Sequence, residues 1–430
     1  MVTRLREAII FGDRPPGSRL LVAHIAREEH ASVATVVQAL RELEAMGLIV
    51  RVSQRGARVS ELSLAELAPL AAARRSMSLL AIRRAAERFT PADARRAETA
   101  LMEQERALRA GELRTLVPVT TEFHEGLYAA AQSPWLSRSL HVTHECMEHY
   151  LARILVGHPG IDVDYSGHRE VLDACVARDA DEAVRRLDRH LGVLVDFFER
   201  LLDAAPALGA APAPDASPAP GGAAAPHGTS AGPASHRDWA AAELLERILS
   251  GELEPGAPLR LERLADLLGT GVFPVREALR ELEALGVVEH VPNRGARVVE
   301  PSPEDLADLV TTRLALEPVV AGHAARAFTP ADDALARGWV QRHAEAVAAG
   351  DARRARAARR ELHFTLYRAA GAPRLLTVIR PVWTRAELHA GRDRPGAADD
   401  DTGALDELRA ACAAHDAPLA ERLLTARIRG

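Results

Sequence analysis

Three histidines in the first half of the chain have the types and the spacing that a metal site needs. His124 lies in a Glu-Phe-His-x-x-x-Tyr stretch, His168 opens a predicted helix, and His190 lies in the next predicted helix, 22 residues later. Imidazoles on three different helices can converge inside a helical bundle and leave coordination positions for a ligand oxygen. The pattern predicts one divalent metal at most, such as zinc, nickel or manganese.

The same histidines fit two other interpretations, a polar core that binds nothing and the metal centre of a hydrolase. A zincin-type protease needs His-Glu-x-x-His, but His144-Glu145 is followed by Glu148 where the second histidine would lie. The sequence also contains no Ser-His-Asp order, no phosphate-binding glycine loop and no suggestive pair of acids. It therefore predicts a protein that is not an enzyme.

A second group of residues has the pattern of a DNA reader. Residues 261–269 form a short helical pattern that ends at a glycine, and residues 274–279, Pro-Val-Arg-Glu-Ala-Leu, open another helix after a tight turn. This spacing suits a helix-turn-helix whose second helix enters the major groove.

The chain contains these patterns because it consists of two copies of one sequence. Residues 40–47, Leu-Arg-Glu-Leu-Glu-Ala-Met-Gly, return with one change at residues 279–286, 239 positions later, and His124 returns as His363 at the same offset. One register kept over this distance indicates tandem duplication of whole units and excludes a solenoid of short repeats.

Each copy divides into a short front domain and a longer helical domain. In the front domain, helical patterns are followed by two short strands around a glycine turn, which predicts a winged helix-turn-helix. The longer domain contains Ser/Thr-x-x-Asp/Glu signals that cap helix starts, and these predict an all-α bundle. The signals begin at Ser63, Thr90, Ser302 and Thr329. The fold class is mainly α. The predicted domains are a winged helix-turn-helix at 1–61, a helical effector domain at 62–202, an Ala/Pro/Gly-rich linker at 203–236, and the second copies of the two domains at 237–300 and 301–430.

Composition and charge limit the class of protein. Hydrophobic residues make up 47% of the chain, and neither a membrane-spanning run nor a signal peptide is evident, so we expect a cytoplasmic protein without a membrane partner. The three cysteines are far apart and are expected to be buried thiols. The net charge is −6, and the front domains carry +2 and −4, so neither is strongly basic.

With these motifs the chain resembles the GntR superfamily of transcriptional regulators, specifically its FadR-like branch. The resemblance rests on Gly251-x-x-x-Pro-Gly, the helix-turn-helix residues, the Leu-Glu-Ala-x-Gly helix end and the Arg-Gly-Ala wing, and it covers both copies. It implies that residues of both front domains contact DNA. In copy two these are Arg263, Arg276, Arg294 and Gly295. In copy one they are Ser32, Arg55 and Gly56.

The front domains depart from the family pattern at two places. Gly271-Val272-Phe273 replaces the usual Ser-Arg-Thr before the second helix, and in copy one His24 and Val37 occupy the positions of the two reading arginines. Ser32 is kept as the expected N-cap of the copy-one helix.

The back domains resemble the FCD effector domain, in which one aspartate and three histidines hold a divalent metal that binds a small carboxylate. Thr120 occupies the aspartate position in copy one, so that site lacks one anionic ligand. In copy two only His363 remains, between Arg359, Leu405 and Arg427, and no metal is expected there. The candidate effector-binding residues are Arg74, Arg313, Arg359, His363 and Arg427.

Two interpretations of the copy-two residues stay open. Arg359 and Arg427 either hold an anionic ligand directly through guanidinium forks or point outward on solvated helices. His363 is expected to be satisfied within the bundle.

The hypothesis is a transcriptional regulator that binds double-stranded operator DNA and senses a small carboxylate. The two copies are expected to pair within the chain as a pseudo-dimer, and further pairing between chains stays open. The main alternative is a ligand-sensing or partner-binding protein that has lost specific DNA binding, and a less favoured one is the metal-dependent hydrolase.

Overall fold

The structure is a computed structural model that describes residues 1–53, 56–60, 64–157, 166–204, 236–291, 295–393 and 401–429. Nearly all of the predicted linker lies outside these residues. Copy one contains α1 (Val2–Ile10), β1 (Arg19–Leu21), α2 (Val22–Glu28), α3 (Val33–Ala45), β2 (Ile49–Ser53), β3 (Gly56–Val59), α4 (Leu64–Arg88), α5 (Pro91–Ala110), α6 (Leu113–Ala129), α7 (Pro134–Gly157), α8 (Ser166–Val176) and α9 (Ala180–Ala204).

Copy two repeats this order. It contains α10 (His236–Leu249), β4 (Pro258–Leu259), α11 (Leu261–Leu268), α12 (Val272–Ala284), β5 (Val288–Val291), β6 (Gly295–Val298), α13 (Pro303–Ala327), α14 (Pro330–Ala348), α15 (Ala352–Ala369), α16 (Pro373–Asp393), α17 (Thr402–Ala413) and α18 (Ala417–Arg429). The predicted class is confirmed, since the chain is mainly helical with small antiparallel sheets.

Each winged domain contains a third strand that the sequence did not indicate. β3 pairs with β2 on one side and with β1 on the other, and β6 pairs in the same way with β5 and β4. A Cβ atom added to Gly56 would lie 2.7 Å from the carbonyl oxygen of Leu20 on β1. The close approach of β1 therefore accounts for a glycine at the start of β3.

The capping signals are confirmed in part. Ser32 caps α3 by accepting a hydrogen bond from the Thr35 N–H at 3.1 Å, and Thr90 and Thr329 both form complete capping boxes. Ser63 lies outside the described residues. Ser302 caps α13, but the Asp305 carboxylate does not return to cap it and binds Trp135 instead, because α7 of the other copy lies within reach.

The two helical bundles share one hydrophobic core. Buried residues from Leu67 to Leu191 in copy one and from Ala315 to Ile428 in copy two form a single cluster, in which α4 packs against α13. Each winged domain has its own smaller core, which closes on the bundle of its own copy. Burial of a common apolar surface therefore holds the copies together.

Equivalent residues make the cross-copy contacts on both sides, so the arrangement has pseudo-two-fold symmetry. Gly47 follows the C-cap of α3 and packs on Arg374, at the start of α16. Gly286 follows the C-cap of α12 and packs on Trp135, at the start of α7. The end of each second helix of a helix-turn-helix therefore rests on the bundle of the opposite copy.

Carboxylates complete this interface. Glu66 on α4 accepts hydrogen bonds from the backbone N–H of Arg374 at 3.0 Å and from its Nη1 at 3.0 Å. On the other side, Asp308 on α13 accepts one from the backbone N–H of Trp135 at 2.9 Å. Burial alone would raise the pKa of Asp305, but hydrogen bonds from His389 and Trp135 lower it to about 2. Each bundle therefore satisfies polar groups at a helix start of the other.

The sequence predicts no membrane-spanning segment and buried thiols at the three cysteines. No helix within the described ranges is both long enough and apolar enough to span a membrane. Cys146, Cys175 and Cys412 are buried free thiols, and burial raises the pKa of each to about 12.

A pair of glycine substitutions tests the cross-copy contact. Gly286→Ala would place a methyl group 2.7 Å from the Trp135 ring at a φ of +73°, whereas Gly371 has a φ of +70° and open space around it. Both variants should lose about 1 to 2 kcal/mol of unfolding free energy through backbone strain. Gly286→Ala should lose about 1 to 3 kcal/mol more through the clash. Equal losses in denaturant unfolding would contradict the contact.

Candidate effector pockets and DNA-binding surface

The three predicted metal ligands of copy one converge. His124 on α6, His168 on α8 and His190 on α9 each offer a ring nitrogen, and the three nitrogens lie within 4.8 Å of one another. His168 and His190 approach through their Nε2 atoms, which are 2.9 Å apart. His124 Nδ1 is buried without a hydrogen-bond partner among the described residues. This donor set fits a divalent metal with three protein ligands and open positions.

A glutamine that the sequence analysis missed orients one of these histidines. The Gln104 side-chain oxygen lies 2.8 Å from His168 Nδ1, so it directs Nε2 of that ring toward the other two histidines. The Gln104 amide donates to Thr120 Oγ1 at 2.6 Å, and Thr120 donates to the Leu116 carbonyl. Thr120, in place of the family aspartate, thus supports the site without supplying a charge.

Burial favours the neutral form of His124 and His168. It lowers the pKa of His124 and of His168 well below the ordinary value, and the charges of neighbouring histidines and of Arg74 add to the effect. Neutral imidazole is the form that binds a metal.

Arg74 on α4 lies beside these histidines, and its charge contributes to their lowered pKa values. Its side chain is buried, and Nε has no hydrogen-bond partner in the described part of the chain. Burial lowers the pKa of Arg74, although the nearby Tyr128 and Glu148 raise it. His144 stacks beside Tyr128 and is also buried, so it belongs to the pocket wall. The copy-one pocket therefore joins neutral histidines to a cation with unused hydrogen-bonding capacity.

Glu148 connects this pocket to the first winged domain. Its carboxylate lies near Arg74 on one side and forms an ion pair with Arg6 of α1 on the other. The Glu148 side chain is 6% exposed, so solvent screens this contact little.

The equivalent pocket of copy two contains ion pairs in place of the histidine triad. Arg313 binds Glu317 through two donors, at 2.5 and 3.2 Å. Arg359 binds Glu387 at 2.6 Å. Tyr367 donates to Glu317 at 2.6 Å and lies 3.4 Å from His363 Nδ1. Both acidic partners, Glu317 and Glu387, belong to copy two itself.

The two arginines that replace metal ligands do not point outward. The side chains of Arg359 and Arg427 are 17% and 19% exposed, and Arg427 forms an ion pair with Asp401. Burial lowers the pKa of His363 well below its ordinary value, and the charges of Arg427 and Arg359 lower it further. His363 therefore lies among buried guanidinium groups.

The predicted DNA-reading arginines of copy two are accessible. Arg263 on α11 and Arg276 on α12 are exposed, and neither has an ion-pair partner within the described ranges. Phe273, at the family departure, is 67% exposed at the start of α12. Gly295 is exposed at the wing, whereas Arg294 lies outside the described residues.

The copy-one surface differs. Ser32 is exposed as the N-cap of α3, while Arg55 lies outside the described residues. Gly56 is buried, contrary to a position on the DNA-contacting surface, because β1 covers it. Val37 is half-buried at the position of Arg276.

A carboxylate joins the two second helices. Glu277 on α12 accepts hydrogen bonds from Arg41 on α3 at 2.7 Å and from Arg280 at 2.8 Å. The Glu277 side chain is 8% exposed. The two helices are therefore held side by side by a charged contact that the sequence did not predict.

The acids of the copy-two pocket were also missed. Glu317, Glu387 and Asp401 carry no motif, and periodicity alone places acids on most helices. Comparison of the two copies could have found them. At the offset of 239 residues, Glu317 lies where copy one has Ser78, and Glu387 lies where copy one has Glu148.

Comparisons with known proteins agree with this architecture. The family described as "Bacterial regulatory proteins, gntR family" matches residues 1–59 and 237–298. The family described as "FCD domain" matches residues 69–193 and 308–430, which together are more than half of the chain. Both families occur twice, which is consistent with the predicted duplication.

Individual relatives are also regulators. The uncharacterized HTH-type transcriptional regulator BphR of Paraburkholderia xenovorans (strain LB400) is 30% identical over 199 residues, which are 44% of this chain and 79% of that protein. A probable D-xylose utilization operon transcriptional repressor of Paenarthrobacter nicotinovorans is 37% identical over 127 residues, 30% of this chain and only 56% of the repressor. The solved structure of E. coli McbR/YncC is 20% identical, with a TM-score of 0.40, and covers 46% of this chain and 95% of that one.

The matched families and relatives are transcriptional regulators and not enzymes, as the sequence predicts. The chain belongs to the gntR family of bacterial regulatory proteins, and it carries both the gntR DNA-binding domain and the FCD domain twice.

Proposed function

We propose that this DNA-binding regulator senses a small carboxylate through the pocket of copy one. The observation that carries the proposal is Arg74, a buried cation whose Nε has no acceptor among the described residues and whose charge acts on the neighbouring histidines. A carboxylate would complete its hydrogen bonds and neutralise its charge. We do not propose a second sensor at Arg313, Arg359, His363 and Arg427, because carboxylates of the chain itself are paired with the three arginines.

The ligand would act by shifting the population of front-domain arrangements that fit an operator. Glu148 offers a direct contact for this coupling, because it lies near Arg74 and is paired with Arg6 of the first winged domain.

Copy two is proposed as the stronger DNA reader. Arg276 is exposed near the start of α12, whereas copy one has Val37 at that position. An operator read by such a pair would have one strongly and one weakly specified half-site.

Matched alanine substitutions test this assignment. Arg276→Ala should weaken binding to an operator fragment from the flanking genes by about 1 to 3 kcal/mol and reduce protection of one half-site, because a bidentate guanine contact is lost. Val37→Ala, the control, should change affinity little. If footprinting at fixed salt ranked the two variants in the reverse order, copy one would be the stronger DNA-binding copy. If the intact chain bound no DNA fragment specifically, the alternative of a ligand-sensing or partner-binding protein that has lost specific DNA binding would be favoured.

Assembly within one chain is the second part of the proposal. The copies already share a core and make equivalent cross-copy contacts, and the tether gives one copy an effective concentration of about a millimolar around the other. Light scattering should give a mass near 46.3 kDa. A stable dimer that preferred a perfect palindrome over an asymmetric site would mean that equivalent copies pair between chains.

A divalent metal in copy one is the third part. His124, His168 and His190 would hold it, and the metal would supply positive charge to bind a carboxylate oxygen. Elemental analysis after incubation with zinc, nickel or manganese should find at most one equivalent per chain. His168→Ala/His190→Ala should lose it, whereas the control His141→Ala, 54% exposed and outside the triad, should keep it. Two metals per chain, or none with any of the three ions, would refute the assignment.

A further inference from the structure

We propose that Glu317 is a built-in anion that fills the effector position of copy two and makes this domain unresponsive to small carboxylates. The inference rests on the proposed function in one respect, since it takes Arg74 as the residue that binds the effector carboxylate in copy one.

The geometry of Glu317 is that of a bound carboxylate. It lies one helical turn after Arg313 on α13 and is fully buried. Its two oxygens accept hydrogen bonds from Arg313 Nε at 2.5 Å and Nη2 at 3.2 Å, and the Tyr367 hydroxyl donates to it at 2.6 Å. A side-on guanidinium fork with one further donor is a common way for proteins to bind a free carboxylate.

Copy one has the same cation without this anion. Ser78 occupies the position of Glu317, and the Nε atom of the equivalent arginine, Arg74, has no acceptor among the described residues. Burial lowers the pKa of Arg74. Burial acts in the same direction on Arg313, but the charge and hydrogen bonds of Glu317, together with the charges of Tyr367 and Glu387, raise the pKa of Arg313 above its ordinary value. The glutamate in place of serine thus gives the Nε atom of Arg313 an internal acceptor, which the Nε atom of Arg74 lacks among the described residues.

The rest of the copy-two pocket is balanced in the same way. Arg359 pairs with Glu387, and Arg427 pairs with Asp401, so each of the three arginines around His363 has an internal carboxylate. A small carboxylate entering this pocket would displace one of these acids and leave it buried without its partner, which is strongly unfavourable. Copy two is therefore closed to the class of ligand that copy one is proposed to bind.

Exchanging the two residues tests the inference in the full-length chain. Formate and acetate serve as probes, at ionic strength matched with chloride, and calorimetry counts their sites. Glu317→Ser should bind one more carboxylate per chain than the unmodified protein, and its melting temperature should rise by about 1 to 2 °C more than that of the unmodified protein for each tenfold increase in formate above the dissociation constant. The reciprocal Ser78→Glu should bind one fewer.

Removal of the cation provides the control. Glu317→Ser combined with Arg313→Met should lose the additional site, because the guanidinium fork is gone. A folded Glu317→Ser variant that binds no more formate than the unmodified chain would overturn the inference, as would formate binding to copy two while Glu317 is present.

A second variant covers a failure of Glu317→Ser to fold. Glu317→Gln keeps the size of the side chain and an oxygen for Tyr367 but removes the charge, so formate should stabilise this variant more than it stabilises the unmodified protein. Equal stabilisation of the two would overturn the inference. A wrong assignment of copy one would appear separately, as no carboxylate site in the unmodified chain, and would leave the gain at copy two measurable.

Discussion

The shared hydrophobic core between the two helical bundles is the constraint on which the rest of the structure depends. α4 and α13 bury their apolar faces against each other, so neither bundle is complete without the other. Once they are paired, the starts of α7 and α16 lie against the ends of α12 and α3, where Trp135 and Arg374 meet Gly286 and Gly47. The winged domains are thus positioned by the bundles, so a change in bundle packing would alter the separation of the two second helices.

Duplication kept this backbone arrangement and allowed the pockets to diverge. Copy one has buried neutral histidines and a cation with an unused donor, whereas copy two has arginines paired with acids of the same copy. The connections to DNA diverged too. Glu148 reaches Arg6 of α1, but the matching Glu387 is engaged by Arg359 inside its own pocket. In the proposed function, the sensing copy is the one with the weaker predicted DNA contacts, so the shared core would link sensing to DNA binding.

Much of the architecture was predictable because it depends on local or repeated signals. The 239-residue offset, the capping serines and threonines and the helix-turn-helix spacing are properties of short segments, and their physics is local hydrogen bonding and amphipathic periodicity. The convergence of His124, His168 and His190 was also predictable, because helix spacing and the family resemblance pointed to one bundle interior. The third strand of each sheet was not, since a three-residue strand such as β1 has no periodicity to detect and forms only when β3 lies beside it.

The sequence by itself indicated the duplication, determined the helix-rich domain types and identified the residues that are predicted to bind metal or DNA. Tertiary structure alone decided which charges meet. Asp305 has the spacing of a helix cap and is instead a partner of Trp135, and Glu277 has the position of a solvated helix residue and instead joins Arg41 to Arg280. The same holds for Glu317, whose carboxylate fills the fork of Arg313. The physical reason is that ion pairs and buried hydrogen bonds depend on the distance and dielectric between groups far apart in the chain, and only the packing of the helices sets these.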